Sequence, residues 1–291
     1  MISVNRKDLP AEIQEQLTQL QEAMDQNSAD AMSWEAFNKT DTYQSLKSVL
    51  LQMFHGKCAY CERDGANHVE HHWPKSPHPH NANRGAASHM FQWNNMVLAC
   101  STCNGFECKG SHMEWETDGS PRLLNPCLGK DDALCYFTIV LESNPQFIVG
   151  WIDPRPQPDT AAIAYNRAEY TIRRLKLNQR DYLVRGRARA ISKLLICLHL
   201  LFEFGPDYEA PSGNPIRRTL LQMFDAREPY LSPIRQILYY EPAYQGLKER
   251  LLEQVPEIGP IVESWALLPP DCSRLIQSPE DSAESGDDVV A

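Results

Sequence analysis

Two cysteines precede a carboxylate, two histidines and a proline in C-A-Y-C-E-R-D-G-A-N-H-V-E-H-H-W-P-K-S, positions 58–76. A second C-x2-C pair lies downstream in C-S-T-C. Each pair can turn back so that both sulfurs face one ion, and two pairs complete a tetrahedral zinc site without an open position. The spacing therefore predicts a structural zinc ion, with buried free cysteines as the alternative. The predicted ligands are Cys58, Cys61, Cys100 and Cys103.

The composition is that of a soluble globular protein. The chain has 291 residues, 42% of them hydrophobic and 23% charged, which is sufficient for a small and a larger domain. The longest apolar run, 194–202, is far shorter than the roughly 18 residues that a membrane span needs, and the first residues lack the features of a signal peptide. We expect a cytoplasmic protein without membrane contacts, whose nine cysteines are reduced and can bind metal.

Charge is distributed unevenly along the chain. The net charge is −10, yet positions 167–193 carry nine Lys or Arg residues against two acids. The final positions, 277–291, carry five acids and no base, and their composition predicts a disordered tail. The acidic total therefore does not exclude a nucleic-acid-binding face in the basic stretch.

Hydrophobic periodicity predicts an α+β, mostly helical fold. It predicts helices over 9–24 and 41–54, a short strand in W-N-N-M-V-L-A-C, and a hairpin over 135–152, where two β-rich runs flank S-N-P. Further helices are predicted over 165–177, 178–204, 216–226, 233–240 and 244–254. The predicted divisions are N-terminal helices at 1–54, a zinc-stapled core at 55–120, a hairpin and linker at 121–160, a helical domain at 161–276 and the acidic tail at 277–291.

Two segments beside the cysteines carry a specific resemblance. E-H-H-W-P (70–74) matches the [D/E]-H-x-x-P signature of HNH endonucleases, and N-M-V-L-A-C-S-T-C-N-G-F-E-C-K (95–109) matches their N-x-x-x-x-C-x-x-C-[H/N]-x-x-x-x-K segment. The chain thus resembles this family, whose motif is a ββα-metal unit of two strands and a short helix. The resemblance implies an HNH core clamped by four cysteines and zinc, flanked by N-terminal helices and a C-terminal helical region.

The resemblance also implies catalytic roles. His71 would be the general base that deprotonates the attacking water, and the ordinary pKa of imidazole, near neutrality, suits this task. The adjoining His72 occupies a position that is usually apolar in the family. Asn95 would orient the His71 ring and the loop beneath it.

The same comparison implies a catalytic metal site. Glu70, at a position where Asp is more frequent, and Asn104, where many members have the final histidine, would bind a divalent ion, Mg²⁺ or Mn²⁺. Lys109 would contact a backbone phosphate.

The order of motifs extends the resemblance over residues 40–205. Together with L-L-N-P-C and T-I-R-R-L-K-L-N-Q-R-D-Y-L-V-R-G-R, it resembles the PtuB-type HNH subunit of Septu anti-phage systems, which also accompanies some retrons. The resemblance implies a PtuA-type ATPase partner, and in the retron case a reverse transcriptase with its RNA–DNA hybrid. The chain itself has no G-x-x-x-x-G-K-[S/T] phosphate loop.

The basic stretch has two interpretations of equal weight. Lys and Arg side chains neutralise phosphates, so the stretch could form a nucleic-acid groove; it could equally be a solvated helical face or a docking face for an acidic partner. The candidate residues are Arg173, Arg180, Arg187 and Lys193.

Together these features predict a metal-dependent HNH endonuclease, the nuclease effector of a bacterial anti-phage defence complex, with DNA favoured as substrate. An RNase, acting for example on tRNA, is the alternative within the enzymes. A zinc-knuckle nucleic-acid-binding or scaffold protein is the alternative from another class.

Overall fold

The computed structural model describes residues 4–26, 31–75, 89–111, 113–117, 119, 121–128, 136–143, 148–154, 162–205, 215–239 and 246–264. Helices predominate in it, together with two small antiparallel sheets, which confirms an α+β, mostly helical fold. Of the helices in these ranges, none is long and apolar enough to cross a membrane. The predicted acidic tail lies outside the described residues.

Three helices open the chain: α1 (Ala11–Asp25), α2 (Trp34–Phe37) and α3 (Asp41–Met53). The Thr40 hydroxyl caps α3 by accepting a hydrogen bond from the Tyr43 amide at 3.2 Å, which satisfies one free donor of the first turn. Helices α1 and α3 confirm the periodicity prediction, since their apolar positions are buried. The short α2 is an additional element, begun by a Ser33 cap.

The first sheet pairs β1 (His68–His71) with β2 (Met96–Ala99) in antiparallel register, with His71 opposite Met96. Strand β2 follows a 3₁₀ turn over Trp93–Asn95, so the predicted strand begins later than the sequence pattern suggested. A short helix, α4 (Ser101–Asn104), follows directly. The order strand, strand, helix therefore brings both C-x2-C pairs to one place.

The second sheet confirms the predicted hairpin: β3 (Phe137–Ser143) pairs with β4 (Ile148–Pro154). Asn178 holds β4, because its side-chain oxygen accepts from the Ile152 amide at 2.9 Å and its side-chain nitrogen donates to the Ile152 carbonyl at 2.7 Å. The hairpin is thereby held against the helices that follow.

The rest of the described chain is helical: five of its helices match the predicted ones, with ends shifted by a few residues, and the last, over Ile258–Ser264, is additional. Lys176, at φ 51°, separates the first two of these helices. The helices are α5 (Ala162–Arg174), α6 (Asp181–Phe204), α7 (Pro215–Phe224), α8 (Leu231–Tyr239), α9 (Leu247–Gln254) and α10 (Ile258–Ser264).

Buried side chains form two hydrophobic clusters. The first joins the N-terminal helices, the β1–β2 sheet, the hairpin and α5. The second joins the C-terminal half of α6 to α7, α8, α9 and α10. Two polar contacts connect the segment around the first C-x2-C pair, here called the knuckle (57–62), to the C-terminal helices. The buried Glu62 carboxylate accepts hydrogen bonds from the amide and the hydroxyl of Ser232. Lys57 Nζ donates to the Glu228 carbonyl at 2.9 Å.

Candidate metal centre and adjoining histidine site

The four cysteines of the two C-x2-C pairs converge. Their sulfur atoms all lie within 4.8 Å of one another, and the Cys61 and Cys100 sulfurs are 3.9 Å apart. Tetrahedral bonds of about 2.3 Å to zinc require sulfur–sulfur separations of roughly 3.8 Å. All four side chains are buried. The arrangement therefore fits a four-coordinate ion such as zinc, with no position left for a substrate.

Each pair is shaped by local hydrogen bonds. In the first, the Cys58 amide donates to the Arg63 carbonyl at 2.9 Å and the Glu62 amide to the Cys58 carbonyl at 2.9 Å, with Glu62 at φ 61°. In the second, Cys100 caps α4, since its sulfur accepts from the Cys103 amide at 3.4 Å. Hydrogen bonds from the other three thiols, of which the bond from Cys103 has the largest effect, hold the pKa of Cys100 well below its usual range. The lowered pKa favours the thiolate form, which is the form that binds a metal ion.

Arg180 lies against this cluster and not on the surface. Both of its terminal nitrogens donate to the Cys103 sulfur at 3.4 Å, and one also donates to the Leu175 carbonyl at 2.6 Å. Although burial alone would lower it, the neighbouring Cys103 raises the pKa of Arg180. The predicted nucleic-acid role of Arg180 is therefore corrected: the guanidinium offsets the negative charge of the thiolates from a buried position.

Arg187 is also buried. Its Nε donates to the Gly150 carbonyl at 2.8 Å and its Nη2 to the Leu177 carbonyl at 2.9 Å, and burial lowers the pKa of Arg187 to about 10. It connects α6 to the hairpin and presents no charge to solvent, so it too leaves the predicted nucleic-acid set. Arg173 and Lys193 are exposed, as a nucleic-acid contact requires.

Glu70 and Lys109 form a buried ion pair. The Glu70 side chain is 8% exposed and that of Lys109 is 1% exposed. Burial raises the pKa of Glu70, while the charge of Lys109 opposes that rise. The predicted contact of Lys109 with a phosphate is therefore corrected, because its ammonium group is directed inward at Glu70.

His71 is held in an aromatic pocket. The centres of the His71 and Trp34 rings are 4.3 Å apart in an edge-to-face arrangement. His71 Nε2 lies 2.8 Å from the Met90 carbonyl oxygen, and it must be the donor because a carbonyl can only accept. Burial lowers the pKa of His71 to about 3. At neutral pH the ring is consequently uncharged, with the proton on Nε2 and a lone pair on Nδ1. This tautomer leaves Nδ1 available to accept a proton, but the lowered pKa makes the ring a weaker base than the near-neutral imidazole that the sequence comparison implied.

Asn95 fixes the backbone that follows His71. Its side-chain oxygen accepts from the Trp73 amide at 2.6 Å, and its side-chain nitrogen donates to the carbonyls of Trp73 at 3.1 Å and His89 at 2.9 Å. Its own carbonyl accepts from the His72 amide at 2.8 Å. One amide side chain thus joins the end of β1 to the segment that precedes β2. These bonds go to backbone atoms and not to the His71 ring, so the implied role of Asn95 in orienting that ring stays a prediction.

His72 is buried and, within the described residues, neither of its ring nitrogens has a hydrogen-bond partner. Burial, reinforced by the charges of Lys109, Arg167 and Arg6, lowers the pKa of His72 well below its usual value. A buried imidazole without partners costs free energy, about 1–3 kcal/mol in typical cases. The structure therefore gives His72 the environment of an apolar residue.

We expect His72→Leu to stabilise the protein by about 1–3 kcal/mol at pH 7, because the unpaired nitrogens are removed. The gain should be larger at pH 5 than at pH 7. A histidine with a lowered native pKa contributes stability above about pH 6.5, which is lost as the unfolded chain takes up a proton at lower pH. Urea denaturation at both pH values measures this, with zinc content determined at each. The exposed His68, changed to Leu, is the matched control; an unaltered or lower stability of His72→Leu contradicts the interpretation.

Sequence reasoning did not identify several residues of this site. Trp34 and Met90 provide the packing and the carbonyl for His71, but they lie on segments separated from it in sequence. Lys75 places its ammonium 5.3 Å from the Trp34 ring centre, and burial lowers the pKa of Lys75. Its position directly after the W-P dipeptide was the one available signal.

Asn104 is half-buried at the last position of α4, and α4 packs against β1. Among the described residues, the four cysteines are the one group of three or more His, Cys, Asp or Glu side chains arranged to hold a metal ion. Comparisons with protein-family models, with curated proteins and with solved structures give no match. Function must therefore be argued from the chemistry of this site.

Proposed function

We propose that the protein is a metal-dependent endonuclease of the HNH type, in which the four cysteines hold a structural zinc ion. The observation that supports this most directly is the unit β1–β2–α4, with His71 at the end of the first strand, Asn95 immediately before the second and Asn104 at the end of the helix. These are the positions that the sequence motif assigns to a base, an orienting residue and a metal ligand. Zinc bound by the four cysteines would join the segment that precedes β1 to the first turn of α4.

In the proposed reaction, His71 Nδ1 takes a proton from a water molecule as the water oxygen bonds to phosphorus. The bond from phosphorus to the leaving oxygen breaks, and that oxygen departs with its electron pair and is then protonated by solvent. The Met90 carbonyl keeps the second ring nitrogen protonated, so that Nδ1 is the basic atom. Asn95 maintains the backbone geometry on which this alignment depends.

Glu70 and Asn104 would hold the divalent ion. Carboxylate and amide oxygens suit Mg²⁺ or Mn²⁺, so the donor chemistry fits, and Lys109 would have to share or release the Glu70 carboxylate. When bound, the ion would supply positive charge that stabilises the leaving oxygen. Because the Glu70 carboxylate is buried, binding of the ion depends on whether this carboxylate can exchange Lys109 for the ion.

The resemblance to PtuB-type subunits gives the proposal a biological setting: an anti-phage defence complex with a PtuA-type ATPase, or with a retron reverse transcriptase and its RNA–DNA hybrid. DNA is the favoured substrate. Cleavage of tRNA is the second enzymatic candidate, since a site built to hydrolyse a phosphodiester can accept either sugar.

The test is cleavage of supercoiled plasmid, linear duplex, single-stranded DNA and total tRNA by the purified protein, with and without a PtuA-type ATPase. Nicking or degradation is expected on addition of Mg²⁺ or Mn²⁺ to protein dialysed free of both. Omitting the ion is preferable to a chelator, which could also remove zinc. Glu70→Gln should abolish the response to added ion.

Cleavage confined to the tRNA lane would identify an RNase. Binding without cleavage under every metal, with the ATPase present, would replace the nuclease by the zinc-knuckle binding or scaffold function.

A further inference from the structure

The structure separates the basic residues of the chain into buried and exposed sets. Arg185, Arg189 and Lys193 recur at a spacing of four on the exposed side of α6, and their positions span about 12 Å of helix. Within the described ranges, none of the three takes part in an ion pair. With Arg173, which pairs with Glu114, this row of charges makes up the exposed part of the predicted basic stretch.

An exposed aromatic ring stands beside the proposed active site. Phe106, two residues after Asn104, is 76% exposed. Two hydrogen bonds hold the loop that carries this ring: Arg174 Nη2 donates to the Phe106 carbonyl at 3.1 Å, and the Lys109 amide donates to the Cys103 carbonyl at 3.1 Å. The large exposed area of this apolar ring is therefore maintained by a turn that is anchored to a cysteine of the metal centre.

The loop also tolerates little change. Gly110 adopts φ +47°, and a side-chain carbon there would lie 2.9 Å from the Phe106 Cα atom. The chain consequently returns close beneath Phe106, which supports a fixed presentation of the ring.

A second exposed ring lies on the same helix as the row of charges, one turn before it. Tyr182, 40% exposed, lies in the first turn of α6, and its hydroxyl accepts from Arg180 Nη1 at 3.3 Å. Arg180 also donates to Cys103, the residue before Asn104. The Arg63 guanidinium lies 4.9 Å from the Tyr182 ring centre. Tyr182 is thus joined to Cys103 through Arg180, and the loop that carries Phe106 is joined to Cys103 through the Lys109 amide.

We infer that these residues form a binding surface for single-stranded nucleic acid, here called the stacking surface: Phe106, Tyr182, Arg185, Arg189 and Lys193. The inference rests on the proposed nuclease function and adds the form of the substrate. Aromatic rings stack on unpaired bases of any sequence, while a row of Lys and Arg follows the phosphates. The bases of an intact duplex are already stacked on one another, so a duplex gains less from Phe106 and Tyr182.

The experiment measures binding separately from cleavage. In a His71→Ala background, fluorescence anisotropy with labelled single-stranded and duplex DNA gives the affinity. Phe106→Ala and Tyr182→Ala should each weaken single-strand binding by about 5- to 100-fold, with a smaller effect on duplex binding. Phe106→Trp, which keeps an aromatic ring at this position, should bind single strands as the parent protein does. The control is Phe204→Ala, which removes an exposed ring at the opposite end of α6.

Salt dependence tests the charged row. The triple variant Arg185→Gln/Arg189→Gln/Lys193→Gln should reduce the slope of log affinity against log salt by about 2, since each phosphate contact with a single strand contributes roughly 0.7. Lys39→Gln/Lys47→Gln, which removes two charges elsewhere, should leave the slope unchanged.

Unchanged single-strand affinity in Phe106→Ala and Tyr182→Ala overturns the inference, as does an equal loss on duplex. If the triple variant binds DNA normally but loses the ATPase partner, the row is a docking face for an acidic protein and the inference fails. In either case, continued cleavage by the wild-type protein would leave the nuclease proposal standing. A wild-type protein that neither binds nor cleaves nucleic acid removes both.

Discussion

His71→Ala is expected to cleave about 10²- to 10⁴-fold more slowly than the wild-type protein, the range that a positioned general base contributes. The structure gives the reason: the ring is uncharged at neutral pH, and the Met90 carbonyl directs its proton to the far nitrogen. Initial rates on the preferred substrate, at saturating Mg²⁺ or Mn²⁺, measure the effect.

The matched control is His68→Ala, which removes an exposed imidazole from the other end of β1 and should leave the rate unchanged. Because His71 packs against Trp34, its removal could also weaken the fold, so zinc content and thermal unfolding must be recorded for each variant. A His71→Ala protein that retains both zinc and full cleavage rules out His71 as the base.

Cys100→Ser is expected to lose the bound zinc and most of the stability of the protein. Structural zinc contributes an apparent binding free energy of about 10 to 16 kcal/mol in small zinc-binding units, and this stabilises the fold because the unfolded chain has no formed site. Here Cys100 is both a predicted ligand and the cap of α4, so its replacement affects the metal centre and the helix together. Elemental analysis should find about one zinc per wild-type chain and almost none in the variant.

Cys197→Ala provides the comparison, since this buried cysteine lies in the second hydrophobic cluster and outside the metal group. Its zinc content should equal that of the wild-type protein. Wild-type protein free of metal, with four thiols that alkylate while it remains folded, would contradict the zinc assignment. So would a Cys100→Ser variant that unfolds at the wild-type temperature.

Local features of the fold could be predicted from the sequence because their causes are local. The amphipathic spacing of α1 and the two β-rich runs on either side of S-N-P each depend on neighbouring residues. The convergence of the cysteines was also predictable, because the geometry of a metal site constrains both pairs at once.

The errors concern pairs that are distant in sequence. Lys109 was assigned to a phosphate, yet it lies buried against Glu70, and Arg180 was assigned to nucleic acid, yet it donates to Cys103. A long basic side chain has the same appearance in a sequence whether it reaches solvent or a buried anion. Its position depends on how α5, α6 and the β1–β2 sheet pack together, which periodicity alone does not specify.

The contact between Glu62 and Ser232 also determines when the segment around the first C-x2-C pair can complete its packing during synthesis of the chain. The two residues are separated by 170 positions, and Lys57 is joined to Glu228 across 171. At a synthesis rate of about 5 to 20 residues per second, roughly 10 to 30 seconds pass between making the first knuckle and making these partners. The cysteines can therefore capture their metal early, while the knuckle gains its support from α8 only when most of the polypeptide exists. A nascent chain interrupted before that point would carry zinc without the finished packing around it.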